Sequence, residues 1–117
     1  MKELLLWIQR LRSEAEESVV LVEGEKDELA LRKFGITHVL KVSNLPLFKL
    51  RVRRAIVLLD RDKEGRKKFK EIVSYLQNSG VKLDLSFYKE LSRFGIRKVE
   101  ELRKLGDMYG EGCAFID

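Results

Sequence analysis

Val20-Leu21-Val22-Glu23-Gly24-Glu25-Lys26-Asp27 and, further on, Val57-Leu58-Leu59-Asp60-Arg61-Asp62-Lys63-Glu64-Gly65 share one pattern: an apolar run that ends on an acid. Ser18-Val19-Val20-Leu21-Val22 and Ala55-Ile56-Val57-Leu58-Leu59 are short, branched and almost free of polar residues. Strands covered on both sides of a parallel sheet have this composition. Glu23 follows the first run directly and Asp60 follows the second.

Working outward, Leu4, Leu5, Ile8, Leu11 and Ala15 recur at helical spacing, so residues 2–17 form an amphipathic opening helix with Trp7 packed. Between the two runs, Glu25 to Phe34 is a helix closed by Gly35, His38 to Val42 is a strand, and Asn44 to Leu50 around Pro46 is a loop or short helix. After the second run, Phe69, Ile72, Val73 and Leu76 mark a helix over 63–78 closed by Gly80. Val81 to Phe87 alternates as a fourth strand nearer an edge, and a late helix covers about 96–105. The tail from Gly106 is a short strand at Cys113 to Ile116 or loose chain.

Alternation of strands and helices predicts an α/β, Rossmann-like domain over 1–117, with a mostly parallel four-stranded sheet flanked by helices and a core at about 19–87. In such sheets the working residues gather at the carboxyl ends of the strands. Glu23, Asp60 and Asp62 are therefore the candidate site. Their carboxylates suit a hard cation such as Mg²⁺, which takes one or two carboxylates and leaves positions open for phosphate oxygens. Crowded acids also repel, which raises the pKa of at least one and fits Glu23 for proton transfer. Gly24 and Gly65 permit close approach of a phosphate to backbone N–H groups. Each acid taken singly is more often a helix cap than a ligand. Three at one edge weigh against that.

The charge is uneven. Lys41 to Lys70 holds 11 Lys and Arg against three acids, whereas the whole chain carries only +5. Such a segment attracts polyanions, so nucleic acid is the expected partner, bound through its phosphates by Lys26, Arg61, Lys63, Arg66 and Lys67 without reading of sequence. Arg51, Arg53 and Arg54 form a second group ahead of the third strand. Phe48, Phe69, Phe87, Phe94 and Tyr88 have spacings that favour core packing, which predicts no aromatic stacking platform. His38 is expected to be packed or partly exposed rather than catalytic. One cysteine, Cys113, excludes an internal disulfide and a cysteine metal cage, and no apolar stretch is long enough for a membrane span. A cytoplasmic protein is expected.

Both quoted segments, in this order and each on a strand end, resemble the two signatures of the Toprim domain of bacterial-type primases, topoisomerases and the 5S ribosomal RNA maturase ribonuclease M5. The resemblance runs from about Val19 to Phe87. It implies that Glu23 matches the family's general acid or base, that Asp60 and Asp62 match its Mg²⁺-binding aspartates, that Asp27 matches an accessory acid and that Gly65 matches the glycine after the pair. Nothing in the sequence resembles a topoisomerase nucleophile region, a zinc ribbon or an added RNA-binding domain. The function expected from these residues is a Mg²⁺-dependent nuclease or maturase-like phosphodiester enzyme, with protein partners supplying substrate recognition. The alternative is a non-catalytic nucleic-acid or partner-docking module. A phosphatase of the haloacid dehalogenase type or a response-regulator receiver would place paired acids after the first strand, where this chain has Glu23-Gly24.

Overall fold

A computed structural model describes residues 2–43 and 45–104. The elements follow as α1 (Lys2–Glu14), β1 (Val19–Val22), α2 (Glu25–Arg32), β2 (Val39–Lys41), a 3₁₀ turn (Leu47–Lys49), β3 (Arg54–Val57), α3 (Lys63–Asn78), β4 (Lys82–Asp84), α4 (Ser86–Glu90) and further 3₁₀ turns at Leu91–Phe94 and Val99–Glu101. The sheet is wholly parallel in the order β2-β1-β3-β4. This is the expected α/β, Rossmann-like arrangement, and β4 lies at an edge as its weaker alternation predicted. No helix among the described residues is long and apolar enough to cross a membrane.

Strand alternation divides the interior in two. Val20, Val22, Ile56 and Leu58 face α1, α2 and the 3₁₀ turn at Val99, where Trp7, Ile8, Leu11, Leu31, Phe34 and Phe87 complete the packing. Leu21, Ala55, Val57 and Leu59 face α3 and pack with Ile72, Leu76 and Tyr88. Each fully buried aliphatic side chain contributes about 1.5–3 kcal/mol. Gly35, with φ +81°, turns the chain after α2 in the left-handed region that favours glycine.

Three expectations change, the first being that the late helix expected over about 96–105 begins only with the 3₁₀ turn Val99–Glu101. The fourth strand stops at Asp84, because its Oδ1 accepts from both the Ser86 N–H (2.9 Å) and the Ser86 hydroxyl (2.6 Å) and turns the chain into α4. Phe87 and Tyr88 are consequently helical and buried, with Tyr88 stacked on Phe69 at 3.7 Å. Phe48 does not pack in the core: it is 63% exposed, while its neighbours Leu47 and Leu50 pack against the α3 face. A three-residue repeat turns positions 47 and 50 the same way and leaves 48 outside. His38 bonds through Nδ1 to the Ala15 carbonyl oxygen, 2.9 Å away. Leu105 and the tail carrying Cys113 to Ile116 lie outside the described residues.

Candidate functional site

β1 and β3 are parallel neighbours with Leu21 opposite Val57, and the Leu58 N–H continues the ladder to the Leu21 carbonyl at 2.9 Å. Glu23, one residue past β1, and Asp60, three past β3, therefore emerge at one edge of the sheet. The helices that start there bring two more acids. Asp27, in the first turn of α2, accepts from the Gly24 N–H at 3.1 Å. Asp62 caps α3 by accepting from the Gly65 N–H at 2.8 Å.

Parity decides how these acids are shared between the two sides. Glu23 lies two residues beyond Leu21, so it turns to the α3 side, where its Oε1 is 3.8 Å from Lys68 Nζ. Asp60 lies two beyond Leu58, on the α2 side, where its Oδ1 accepts from the Val99 N–H at 2.9 Å. Among the described residues, no three His, Cys, Asp or Glu side chains are grouped closely enough to hold one metal ion. As placed, Glu23, Asp60 and Asp62 do not form one close group: two acids follow adjacent strands with opposite parity, and the third caps a helix.

The acids nevertheless feel one another. Asp60 is buried, and loss of water pushes its carboxyl up to about 6, opposed by the Val99 N–H and reinforced by Asp27, Glu23 and Asp62. Asp27 is also buried and raised by loss of water, and Glu23 and Glu100 add to the shift. Glu23 Oε1 is buried with no hydrogen bond. Buried carboxylates in a local excess of negative charge, one of them with an oxygen, Glu23 Oε1, that has no donor, have the chemistry of a hard-cation site. They fit Mg²⁺ held by one or two carboxylates with water and phosphate completing its shell; they do not form an all-protein cage.

Beside Asp62, an open groove of about 680 Å³ is lined by Lys63, Arg66, Lys67, Lys70, Glu71 and Arg97. Three of the predicted phosphate-binding residues, Lys63, Arg66 and Lys67, thus meet at the acidic edge. Lys70 and Arg97 join them without having been singled out. Lys70 stands one helical turn from Lys67 and could have been found by spacing, whereas Arg97 arrives from a distant segment with no local signal.

The other predicted residues are employed differently. Arg61 Nη1 donates to the Tyr88 carbonyl at 2.9 Å, and its guanidinium lies 4.4 Å from the Tyr88 ring centre, so it holds α4. Lys26 is exposed on α2 and does not line the groove. The Gly24 and Gly65 N–H groups are occupied by Asp27 and Asp62. Gly65 is required for space: a Cβ there would sit 2.2 Å from the Asp60 carbonyl oxygen. Arg53 and Arg54 lie at the opposite end of the sheet, with Glu17 and Lys82.

No family model matches the chain. A UPF0292 protein of Thermococcus gammatolerans is 32% identical over 114 residues, covering 92% of this chain and 84% of that protein. A UPF0292 protein of Methanocaldococcus jannaschii is 31% identical over 113 residues, covering 86% and 88%. Among solved structures, a putative protein from Aquifex aeolicus superimposes with a TM-score of 0.77 at 30% identity, covering 81% of this chain and 94% of that one. The zinc-binding and RNA polymerase domains of the Aquifex aeolicus primase superimpose with a TM-score of 0.51 at 25% identity, covering 86% of this chain and 27% of that one.

Proposed function

The chain belongs to the family of UPF0292 proteins, and we propose that it is a Mg²⁺-dependent enzyme of the Toprim type acting on nucleic-acid phosphodiesters, a nuclease or RNA-maturase-like activity. The observation that carries this reading is the burial of Asp60 among Asp27, Glu23 and Asp62, with its carboxyl raised to about 6, directly beside a groove of five cations. Structural ion pairs bury acids together with their cations. Here five cations line the outer groove together with Asp62 and Glu71, while Asp27 and Asp60 lie within.

Asp60 and Asp62 would hold the ion through the oxygens not bonded to Val99 and Gly65. A bound Mg²⁺ supplies charge stabilisation at the phosphoryl oxygens and a lowered pKa for coordinated water. Lys63, Arg66, Lys67, Lys70 and Arg97 place the phosphates. Glu23 Oε1, buried without a donor, accepts the proton of the attacking hydroxyl or water, and Lys68 Nζ at 3.8 Å balances its charge. The likeness to the zinc-binding and RNA polymerase domains of a primase supports a nucleic-acid substrate.

End-labelled RNA and DNA incubated with Mg²⁺, and with EDTA as control, test the reading. Cleavage should require Mg²⁺ and fall by about 10²-fold or more in Glu23→Gln and in Asp60→Asn. A wild-type protein that binds these nucleic acids and cleaves none favours the second reading, a non-catalytic module that docks on phosphates through the metal. That reading has its own support, since the carboxylates as placed do not form a group of three.

A further inference from the structure

Phe48 is the most exposed large apolar side chain among the described residues, and its surroundings are unlike those of a stray surface phenylalanine. Leu47 and Leu50 anchor its 3₁₀ turn to the α3 face, so the ring is presented from a fixed base. Arg51 Nη1 donates to the Phe48 backbone carbonyl at 2.8 Å, which ties a guanidinium to the same turn. Across a groove of about 290 Å³ stands Tyr75 of α3, 40% exposed. The groove lining includes Arg51 and Arg53 and no acid. Lys49 adds a third cation on the same turn. Arg53 also borders the depression at the end of the sheet where the strands begin, so this groove is a basic surface separate from the one beside Asp62.

We infer that Phe48 and Tyr75 form a base-stacking platform for single-stranded nucleic acid, with Arg51 and Arg53 holding the flanking phosphates. Exposed aromatic rings interleaved with cations are the means by which strands are bound without sequence readout, because every base has a stacking face. The charge of the lining selects the occupant: a groove with two arginines and no carboxylate complements a polyanion. A duplex keeps its bases stacked inside and offers the rings nothing. The inference rests on the nucleic-acid reading above and adds to it the strandedness of the substrate and the surface that captures it.

Fluorescein-labelled 12-nucleotide oligouridylate and oligothymidylate, and a duplex of the same length, are titrated with the full chain in EDTA and followed by anisotropy. Phe48→Ala, Phe48→Leu and Tyr75→Ala should each weaken single-strand binding by about fivefold or more. Phe48→Tyr should restore it, the salt dependence should be unchanged, and duplex binding should be unaffected. Circular dichroism melts serve as the folding control, which the exposure of both rings makes undemanding.

Phe48→Leu binding as tightly as wild type overturns the platform, because an apolar contact without stacking then suffices. Indifference of single-strand affinity to Phe48→Ala overturns it too, and a protein partner lost in that variant would identify the occupant instead. Absence of single-strand binding by wild type has the same result. The two readings fail separately. A protein that binds single strands through Phe48 and cuts nothing loses the nuclease reading and keeps the platform; one that cuts while Phe48→Ala changes nothing loses only the platform.

Discussion

The two edges of the sheet carry charge in opposite ways. At the edge where the strands begin, Glu17, Arg53, Arg54 and Lys82 line a solvent-open depression; Arg54 and Glu17 pair at 3.7 Å with half or more of each side chain in water. Any one of these charges is hydrated whether or not its partner is present. At the edge where the strands end, Asp27 and Asp60 are buried, Glu23 Oε1 lacks a donor, and the cations line a groove outside them. Net charge does not separate a working surface from a solvated one here, since both edges are rich in Arg and Lys. Burial separates them: Glu23 Oε1 lacks a donor at one edge, at a cost in folding free energy, whereas the charges of the other edge stay in water.

The comparison breaks most visibly at glycine. Gly65→Ala should destabilise the fold by about 3 kcal/mol, since the new Cβ would sit 2.2 Å from the Asp60 oxygen, which is backbone and cannot swing aside as the Asp62 side chain at 3.0 Å could. Gly24→Ala, at the same edge but with open space around its Cβ position and an extended backbone, should cost within about 1 kcal/mol. Urea unfolding of both variants checks the pair. Equal midpoints would mean that the start of α3 is not pressed against Asp60.

Next in size is the acid itself. The Asp60 carboxyl is about 6 in the fold against 3.8 in the unfolded chain, so between these values the folded state binds more protons and stability falls as pH rises. Above about 6 the destabilisation is complete. Asp60→Asn removes the charge while retaining an oxygen for the Val99 N–H. It should stabilise the protein by about 2 kcal/mol at pH 7, change little at pH 4, and flatten the fall between. Melts across pH 4–8 decide it. A variant less stable than wild type at pH 7 would show that the edge is not strained by this charge, and would remove the main contrast with the other edge.

Much of this was legible in the sequence because apolar runs and the acids that end them are local facts. The runs at Val19–Val22 and Ala55–Leu59 placed the two central strands, and their parallel order brought Glu23 and Asp60 to one edge. What stayed hidden was register. Glu23 turns towards α3 and Asp60 towards α2 because Leu21 pairs with Val57 and the chain runs on for different numbers of residues past that pair. No single strand contains that information. Arg97 was hidden for a related reason, since it enters the groove from a segment more than thirty residues beyond Asp62. Phe48 was misread because an apolar cluster around Pro46 looks like core until the three-residue repeat of its turn separates Leu47 and Leu50 from it. Arg61 looked like a phosphate ligand beside the aspartates, and only the fold shows Tyr88 beneath it.

The cap comes third. Asp62 spends one oxygen on the Gly65 N–H, so Asp62→Ala should cost about 1 kcal/mol of stability in addition to any effect on Mg²⁺ binding. Asp62→Asn retains an acceptor and should cost less, while impairing Mg²⁺ binding as much. Calorimetric Mg²⁺ titration beside thermal melts separates the two roles. Stability equal in both variants would mean that the cap contributes little and that this acid is held for the ion alone.

The smallest effect is the sharpest contrast, because two ion pairs of nearly equal length sit at the two edges. Arg54–Glu17 spans 3.7 Å with side chains 50% and 80% exposed; Lys68–Glu23 spans 3.8 Å with 45% and 28%. Distance predicts the same coupling for both. Water decides otherwise: the exposed pair is screened and should couple by no more than about 0.3 kcal/mol in a double-mutant cycle, and salt should erase it. The Glu23 end of the other pair includes a buried oxygen whose nearest positive charge is Lys68, so the attraction acts through a less polarisable medium. Its coupling should be larger, on the order of 0.5–1 kcal/mol, and should persist in 0.5 M salt. Equal and salt-sensitive couplings would show that Glu23 is as well hydrated as Glu17, and an acid that well hydrated has no special claim on a proton or an ion.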